Sequence, residues 1–262
     1  MATLIKKIII VIFLYSLTFS AFAFEKFVQL DSGRNGAAIP IYVMSQSGAK
    51  STILLLPGGN AETGKIEFPS GKPGSQNFLS RTRELFRSEG FNVIVVYRPT
   101  DMTDLTTDYR ISNQHISEIE RVVQYANKEF NVPVWLIGTS RGTVSATAAA
   151  IALGDSVVKG LVLTSSVTAR KNNGVNSQEI SAIKVPVLVV HHKNDECRIC
   201  VPEDAAKIIS KMKSSPTSKY VEIVGGFGPT GDPCEVKHWH GFVNYEKETV
   251  SLIASWIKTA GG

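Results

Sequence analysis

Residues 135–142, WLIGTSRG, join the pattern of a buried strand to two glycines that flank a serine. Apolar residues lead to Gly138, Ser140 follows two positions later, and Gly142 precedes the small-residue run TVSATAAAIAL. A strand that turns directly into a helix strains the residue at the turn, and glycines on both sides relieve the resulting clashes. The stretch therefore predicts a strand, a tight turn and a helix, with the Ser140 hydroxyl projecting at the positive end of that helix.

Short β-branched runs alternate with longer amphipathic stretches after residue 50, which predicts βαβ units and a parallel sheet covered on both faces. The runs are STILLLPGG, FNVIVVYRP, VPVWLIG, GLVLTSS, VPVLVVHH and KYVEIVGG. Before them, KFVQL and AAIPIYVM flank the turn-rich spacer DSGRNG and predict an antiparallel hairpin at the sheet edge. The predicted fold class is α/β, with an eight-stranded, mostly parallel sheet and helices on both faces.

Helices are predicted over residues 77–88, 111–130, 142–153, 202–212 and 245–259. Only about twenty residues separate GLVLTSS from the next strand, so no large cap domain is expected there. Residues 60–76 are predicted to be a long irregular loop that shapes access to the site.

The N-terminus has the pattern of a secretory signal peptide. Lys6 and Lys7 precede an apolar run over residues 8–14, and the small-residue sequence SAFA ends at Ala23. We expect cleavage after Ala23, a single domain over residues 24–262, and a periplasmic or secreted location; an uncleaved membrane anchor is the alternative. No later segment is apolar enough to span a bilayer, so no membrane association is expected after cleavage.

Composition excludes a nucleic-acid partner. The chain is 43% hydrophobic and 19% charged, as in globular proteins, and its formal charge of +5 includes the two signal-peptide lysines. The remaining basic residues are scattered, without a stripe that alternates with aromatic residues.

A serine hydroxyl needs a base within hydrogen-bonding reach and a carboxylate that orients the base. Asp195 follows the strand pattern VPVLVVHH, where ligands gather in open parallel sheets, and Glu196 is the alternative acid. His240, in WHGF before the last helix, is the predicted base, with His238 as the alternative. The predicted catalytic residues are thus Ser140, Asp195 and His240.

With these three residues in this order, the chain resembles the α/β-hydrolase superfamily over nearly all of its length. The runs LLLPGG, NFLSRTRELF, VPVWLIGTSRGT and HGF look like a group of exported bacterial α/β-hydrolases of unassigned activity. The resemblance implies an oxyanion hole made of two backbone amides, one from Arg141 and the other from Gly59 or Asn60. The histidine that often opens this loop motif in lipases and esterases is absent before Gly58 and Gly59, so the loop geometry of those enzymes cannot be assumed here. The Arg141 side chain is expected to pair with a neighbouring carboxylate, with an acidic substrate as the alternative.

Three cysteines lie in the last quarter of the chain, at positions 197, 200 and 234. In an oxidising compartment we expect one disulfide that clamps the acid loop to the histidine loop, with Cys197 and Cys234 as the preferred pair. The alternative is a zinc site formed by the three cysteines and His238. We predict neither a metal nor a cofactor.

The most favoured function is hydrolysis of an ester, or a similar acyl bond, through an acyl-enzyme intermediate. The substrate class is a small-molecule or polymeric acyl compound. Two alternatives are a catalytically silent binding protein with this fold and a peptidase or acyltransferase that uses the same triad.

Overall fold

The computed structural model describes residues 23–260, whose main feature is an eight-stranded sheet. The strand bounds are Glu25–Asp31 (β1), Ala38–Met44 (β2), Thr52–Leu56 (β3), Ile66–Glu67 (β4), Lys72–Pro73 (β5), Asn92–Val96 (β6), Val134–Thr139 (β7), Gly160–Thr164 (β8), Val187–His192 (β9) and Ser218–Ile223 (β10). The order of the strands in the large sheet is β1-β2-β6-β3-β7-β8-β9-β10. Strand β2 pairs antiparallel with both β1 and β6, and the other pairs in this sheet are parallel. The predicted fold class, including its N-terminal hairpin, is confirmed.

The helices are Phe78–Arg81 (α1), Arg83–Ser88 (α2), Thr107–Arg110 (α3), Asn113–Phe130 (α4), Arg141–Val157 (α5), Pro202–Ala206 (α6), Ile208–Lys211 (α7) and Glu246–Ala260 (α8). Two predicted helices are divided, one at Thr82 and the other at Lys207. Helix α4 begins two residues later than expected because the Ser112 side chain accepts a hydrogen bond from His115 N and caps it.

Alternate residues of the central strands face two different apolar layers. Leu54 packs in the layer that contains residues of α4 and α5, such as Val122 and Ala146. Its neighbour Ile53 packs in the opposite layer, with residues of α1, α2 and α8 such as Phe86. This alternation covers both faces of the sheet and leaves the carboxyl ends of the parallel strands open to build a site.

The segment over residues 60–76 differs from the prediction, because it contains the β4–β5 hairpin. Arg83 Nη2 donates to Pro73 O at 2.9 Å, and Lys72 forms an ion pair with Glu84 at 3.1 Å, so α2 holds the hairpin. Phe68, at the tip, is 97% exposed.

No large cap is present between β8 and β9, where the chain makes three short 3₁₀ turns, Arg170–Asn172, Val175–Ser177 and Ile180–Ala182. Within residues 23–260, no helix has the length and apolarity needed to cross a membrane. The predicted signal peptide lies almost wholly outside the described residues and remains a prediction.

Candidate active site

Ser140 occupies a strained turn between β7 and α5, with φ 50° and ψ −128°. Both flanking glycines are required sterically. A Cβ on Gly138 would lie 2.5 Å from Gly142 O, and a Cβ on Gly142 would lie 1.9 Å from Leu56 O. The local sequence therefore dictates the turn, and Ser140 stays partly exposed at the N-terminus of α5.

The loop after β3 approaches this serine closely. A Cβ on Gly58 would lie 2.7 Å from the Ser140 Cβ, and Gly59 has a φ of 54°. In the described part of the chain, the amides of Gly59, Asn60 and Arg141 donate no hydrogen bond. They are therefore free to donate to an oxyanion, and their predicted role stays a prediction. Gly58 permits no side chain at this contact, which agrees with the close backbone approach expected of the Gly58–Gly59 pair.

Arg110 lies behind the same loop and was missed at the sequence level. Its Nη2 donates to Gly59 O at 2.9 Å, and its Nη1 donates to Ser145 Oγ at 2.9 Å. Burial, together with the nearby Arg141 cation, lowers the pKa of this guanidinium to about 9, although the Asp104 carboxylate opposes the shift. A single arginine at the end of a short helix gives no sequence signal for this position.

The Arg141 side chain is held on the same side of the site. Its guanidinium donates to Leu105 O at 2.8 Å and to Asn60 Oδ1 at 3.2 Å. It also lies 3.5 Å from the Asp104 carboxylate, which is the kind of pairing expected from the sequence. These contacts link the residue after Ser140 to the loop that carries Asn60.

Asp195 follows β9, and two histidines share its carboxylate. Its Oδ2 lies 2.9 Å from His240 Nδ1 and 3.0 Å from His191 Nε2. Burial opposes ionisation of the carboxyl, but the hydrogen bonds from His191 and His240 outweigh it and lower the pKa of Asp195 to about 2. The carboxylate therefore stays charged at neutral pH.

The alternative acid and base do not join this arrangement. Glu196 has a side chain that is 70% exposed, and its carboxylate lies 3.9 Å from His238 Nε2. His191 falls within the strand pattern VPVLVVHH, which predicts no role for its side chain. The spacing of four residues between His191 and Asp195, across the strand end, is the signal that could have indicated the contact.

The contact with Asp195 fixes the orientation of His240. A carboxylate only accepts, so Nδ1 carries the proton and Nε2 is the basic nitrogen. Nε2 is buried and has no hydrogen-bond partner within the described residues. The structure has no hydrogen bond between His240 and the Ser140 hydroxyl, although both residues line one cavity. In unliganded sites of this chemistry the contact between nucleophile and base is often long.

Side-chain contacts from three other elements hold the loop that carries His240. Ser165 Oγ donates to His240 O at 2.8 Å, and Arg81 Nη2 donates to Gly241 O at 2.6 Å. The His192 ring stacks on Trp239 with centroids 4.6 Å apart.

Cys197 and Cys234 form a disulfide bond with a Cα–Cα distance of 4.5 Å, and Cys200 is a buried free thiol. The bond joins the segment after Asp195 to the segment before His240. The alternative zinc set is not assembled, because two of its sulfurs are bonded to each other and His238 is absent from the cluster of potential ligands, which is Cys197, Cys200 and His240.

The cavity at this position has a volume of about 100 Å³. Its lining includes Gly59, Phe78, Ser140, Cys234, Val236 and His240. No residue of the segment 60–76 is among these lining residues, although the flanking residues Gly59 and Asn77 are, and the role of this segment in access stays a prediction. Residues 234–236 also line the cavity.

Comparison with protein-family models and with curated protein sequences finds no match. Among solved structures, the chain is similar to an esterase of Pyrococcus furiosus, with 13% identity, a TM-score of 0.64, and coverage of 92% of this chain and 94% of the other. It is also similar to a dienelactone hydrolase from Anabaena variabilis, with 13% identity, a TM-score of 0.59, and coverage of 91% and 98%.

A third similar structure is an α/β serine hydrolase without a lid from Xanthomonas campestris, with 14% identity, a TM-score of 0.59, and coverage of 90% and 94%. Likeness at this level of identity concerns the arrangement of the backbone. Together with the strand order and the turn at Ser140, it shows that the chain has the α/β-hydrolase fold.

Proposed function

We propose that the protein is a serine hydrolase that cleaves carboxylic esters with a short acyl chain through an acyl-enzyme intermediate. The observation that carries the proposal is the cavity shared by Ser140 and His240, with Asp195 bonded to the far side of the imidazole. The three similar structures are an esterase, a dienelactone hydrolase and a serine hydrolase, which supports this class of reaction.

In the proposed mechanism, the Ser140 hydroxyl attacks the ester carbonyl while His240 Nε2 accepts its proton. The Asp195 carboxylate holds the imidazole by Nδ1 and stabilises its positive charge. The tetrahedral oxyanion accepts hydrogen bonds from the amide of Arg141 and from that of Gly59 or Asn60. His240 then protonates the leaving alcohol, and water hydrolyses the acyl-enzyme by the reverse sequence of proton transfers.

The volume of the cavity argues for a short acyl chain. About 100 Å³ beside Ser140 accommodates an acyl group of a few carbon atoms, and Phe78 closes one side with an aromatic ring that is almost fully buried. In this arrangement the acyl group of the ester occupies the cavity, and its alcohol portion lies outside, in solvent. Half-buried Val236 borders the cavity and is the side chain whose removal would lengthen it.

The experiment is a series of p-nitrophenyl esters with acyl chains from acetate to octanoate, together with aminopeptidase substrates. Acetate and butyrate should be hydrolysed with the highest kcat/KM, and Val236→Ala should shift the preference towards longer chains. Ser140→Ala is the background control. Hydrolysis of every ester at no more than the Ser140→Ala rate would contradict the proposal, and cleavage of the peptides alone would favour the peptidase alternative.

A further inference from the structure

The free thiol of Cys200 lies against the disulfide bond, beside the proposed catalytic residues. Its Sγ, the Cys197 Sγ and a ring nitrogen of His240 all lie within 4.8 Å of one another. Cys200 N donates to Cys197 O at 2.8 Å, so residues 197–200 form a four-residue turn. Such a turn holds its first and last Cα atoms within about 7 Å. That separation is compatible with a disulfide between these two residues.

We propose that Cys197, Cys200 and Cys234 form a thiol–disulfide exchange site, at which the bond moves from Cys234 to Cys200. The Cys200 thiolate attacks Cys197 Sγ and forms the new bond. The bond between Cys197 and Cys234 breaks, and its electron pair leaves on Cys234 Sγ, which takes up the proton that Cys200 lost. One disulfide and one thiol are present before and after, so the step needs neither an oxidant nor a reductant.

The surroundings of Cys200 explain why the disulfide between Cys197 and Cys234 persists. Burial and, to a lesser extent, the nearby Asp195 carboxylate raise the pKa of the Cys200 thiol well above its usual value. The thiolate is therefore scarce in this arrangement, and exchange is slow. The imidazole of His240 lies in the same cluster, and in the proposed step its unpaired Nε2 accepts the thiol proton.

Exchange would release one side of the proposed active site. Cys234 and Val236 line the cavity beside Ser140, and the bond to Cys197 ties this segment to the acid loop. Once the bond has moved to Cys200, only noncovalent contacts hold the segment. This consequence rests on the proposed function, whereas the exchange itself does not.

The test is to alkylate the native, unreduced protein with N-ethylmaleimide and to map its disulfides by mass spectrometry. Cys200 is buried and shielded, whereas Cys234 is half-buried and becomes accessible when it is released. The expected product has alkylated Cys234 and a disulfide between Cys197 and Cys200. Alkylation of Cys200 with the original bond intact, or no alkylation at all, would overturn the proposal.

Two variants control the mapping. Cys200→Ser removes the attacking thiol, so its Cys234 should stay bonded and unlabelled. Cys234→Ser should form the bond between Cys197 and Cys200 and thus reproduce the exchanged isomer; free thiols at both positions after purification in air would count against the proposal.

Ester hydrolysis by Cys234→Ser then tests the consequence separately, because this variant carries no maleimide adduct on the cavity lining. We expect a loss of roughly 100-fold, the effect of misplacing catalytic groups by about 1 Å. An unchanged rate would disprove the link between exchange and the site. If the protein hydrolyses no ester at all, the proposed function fails, but the disulfide map still decides whether exchange occurs.

Discussion

The two halves of the proposed active site are built in different ways. The nucleophile half consists of one local turn, in which Gly138, Ser140 and Gly142 fix one another and the β3 loop packs against them. The acid–base half joins two loops whose key residues, Asp195 and His240, are 45 positions apart in the chain. A disulfide, a stacked pair of rings and hydrogen bonds from other elements hold these loops together.

This difference has a physical consequence for the two halves. The position of Ser140 depends on backbone sterics, which leave no room for adjustment when a side chain is added. The position of His240 depends on the disulfide, the stacked rings and the hydrogen bonds named above, and each of these contacts can be removed by a single substitution. Changes to the nucleophile half should therefore act through the fold, whereas changes to the acid–base half should lower catalysis even in protein that remains folded.

The largest expected effect comes from Asp195→Asn. An amide in this position would present a donor to one of the two histidines and would favour the wrong tautomer of His240, which should lower kcat by about 10⁴-fold. Steady-state kinetics with p-nitrophenyl acetate measure the loss, and circular dichroism checks that the fold persists. Glu196→Gln is the matched control because this neighbouring side chain is mostly exposed, and it should retain the wild-type kcat. Equal losses in the two variants would show that Asp195 has no special role.

Removal of the disulfide should have the next largest effect. Cys197→Ala combined with Cys234→Ala opens a loop with a sequence separation of 37 residues, which should reduce the free energy of unfolding by about 3–4 kcal/mol. Urea unfolding measures the change, and kcat should fall in the conditions where the protein remains folded. Cys200→Ala in the same assay should keep the bond and most of the stability. If the double variant unfolds as the wild type does, the bond does not hold the two loops.

Gly142→Ala tests the rigidity of the nucleophile half. Its Cβ would lie 1.9 Å from Leu56 O, which belongs to a central strand and cannot move aside, so we expect a loss of about 3 kcal/mol in the free energy of unfolding. Gly48→Ala is the control, since Gly48 is exposed, its Cβ would meet nothing within 4 Å, and only its φ of 72° is unfavourable, at a cost of about 1 kcal/mol. Similar losses in the two variants would mean that the turn adjusts more easily than the contacts indicate.

The free energy of unfolding at acid pH should depend on the two hydrogen bonds that Asp195 accepts. The pKa of its carboxyl is lowered from 3.8 to about 2 in the folded protein, so the group stabilises the fold above the unfolded value, and this contribution disappears as the pH falls towards 2. The contribution amounts to about 2 kcal/mol. Urea unfolding at several pH values should show the wild type losing this amount relative to Asp195→Asn between pH 4 and 2. Parallel curves for the two proteins would contradict the lowered pKa.

The smallest effect is expected from His191, which positions Asp195. In His191→Asn the side-chain nitrogen replaces Nδ1 instead of Nε2, so the hydrogen bond to the carboxylate is lost. In His191→Gln a nitrogen remains near the position of Nε2. Loss of a hydrogen bond to a charged group costs about 1.5 kcal/mol, so His191→Asn should lower kcat roughly tenfold, with the Gln variant intermediate. The pH at which Asp195 is protonated should rise in the Asn variant; an unchanged acid-unfolding profile would contradict this role.

The difference between a locally determined half and a half held by tertiary contacts also explains what the sequence could predict. The strands and the turn at Ser140 follow from local patterns, β-branched runs for the strands and two glycines around the serine for the turn. The helix over residues 77–88 was expected to be continuous, but it divides at Thr82, whose hydroxyl donates to Phe78 O at 2.7 Å and competes with the regular helical pattern.

The supports of the site were not predictable in the same way. The contacts of Arg110 with the β3 loop and of Ser165 with His240 O join distant parts of the chain and carry no local pattern. The hairpin at β4–β5 was missed because its strands have only two residues each and derive their order from packing against α2. Tertiary contacts, not local propensity, determine these positions.

In the proposed mechanism, His240 and Asp195 activate Ser140 as a nucleophile. The most direct measurement of this activation is the rate at which a fluorophosphonate labels the purified protein, with the modified residue identified by mass spectrometry. We expect rapid labelling at Ser140, loss of labelling in Ser140→Ala, and labelling slowed by orders of magnitude in His240→Ala. Labelling at another residue, no labelling of the folded wild type, or equal rates with and without His240 would contradict this mechanism.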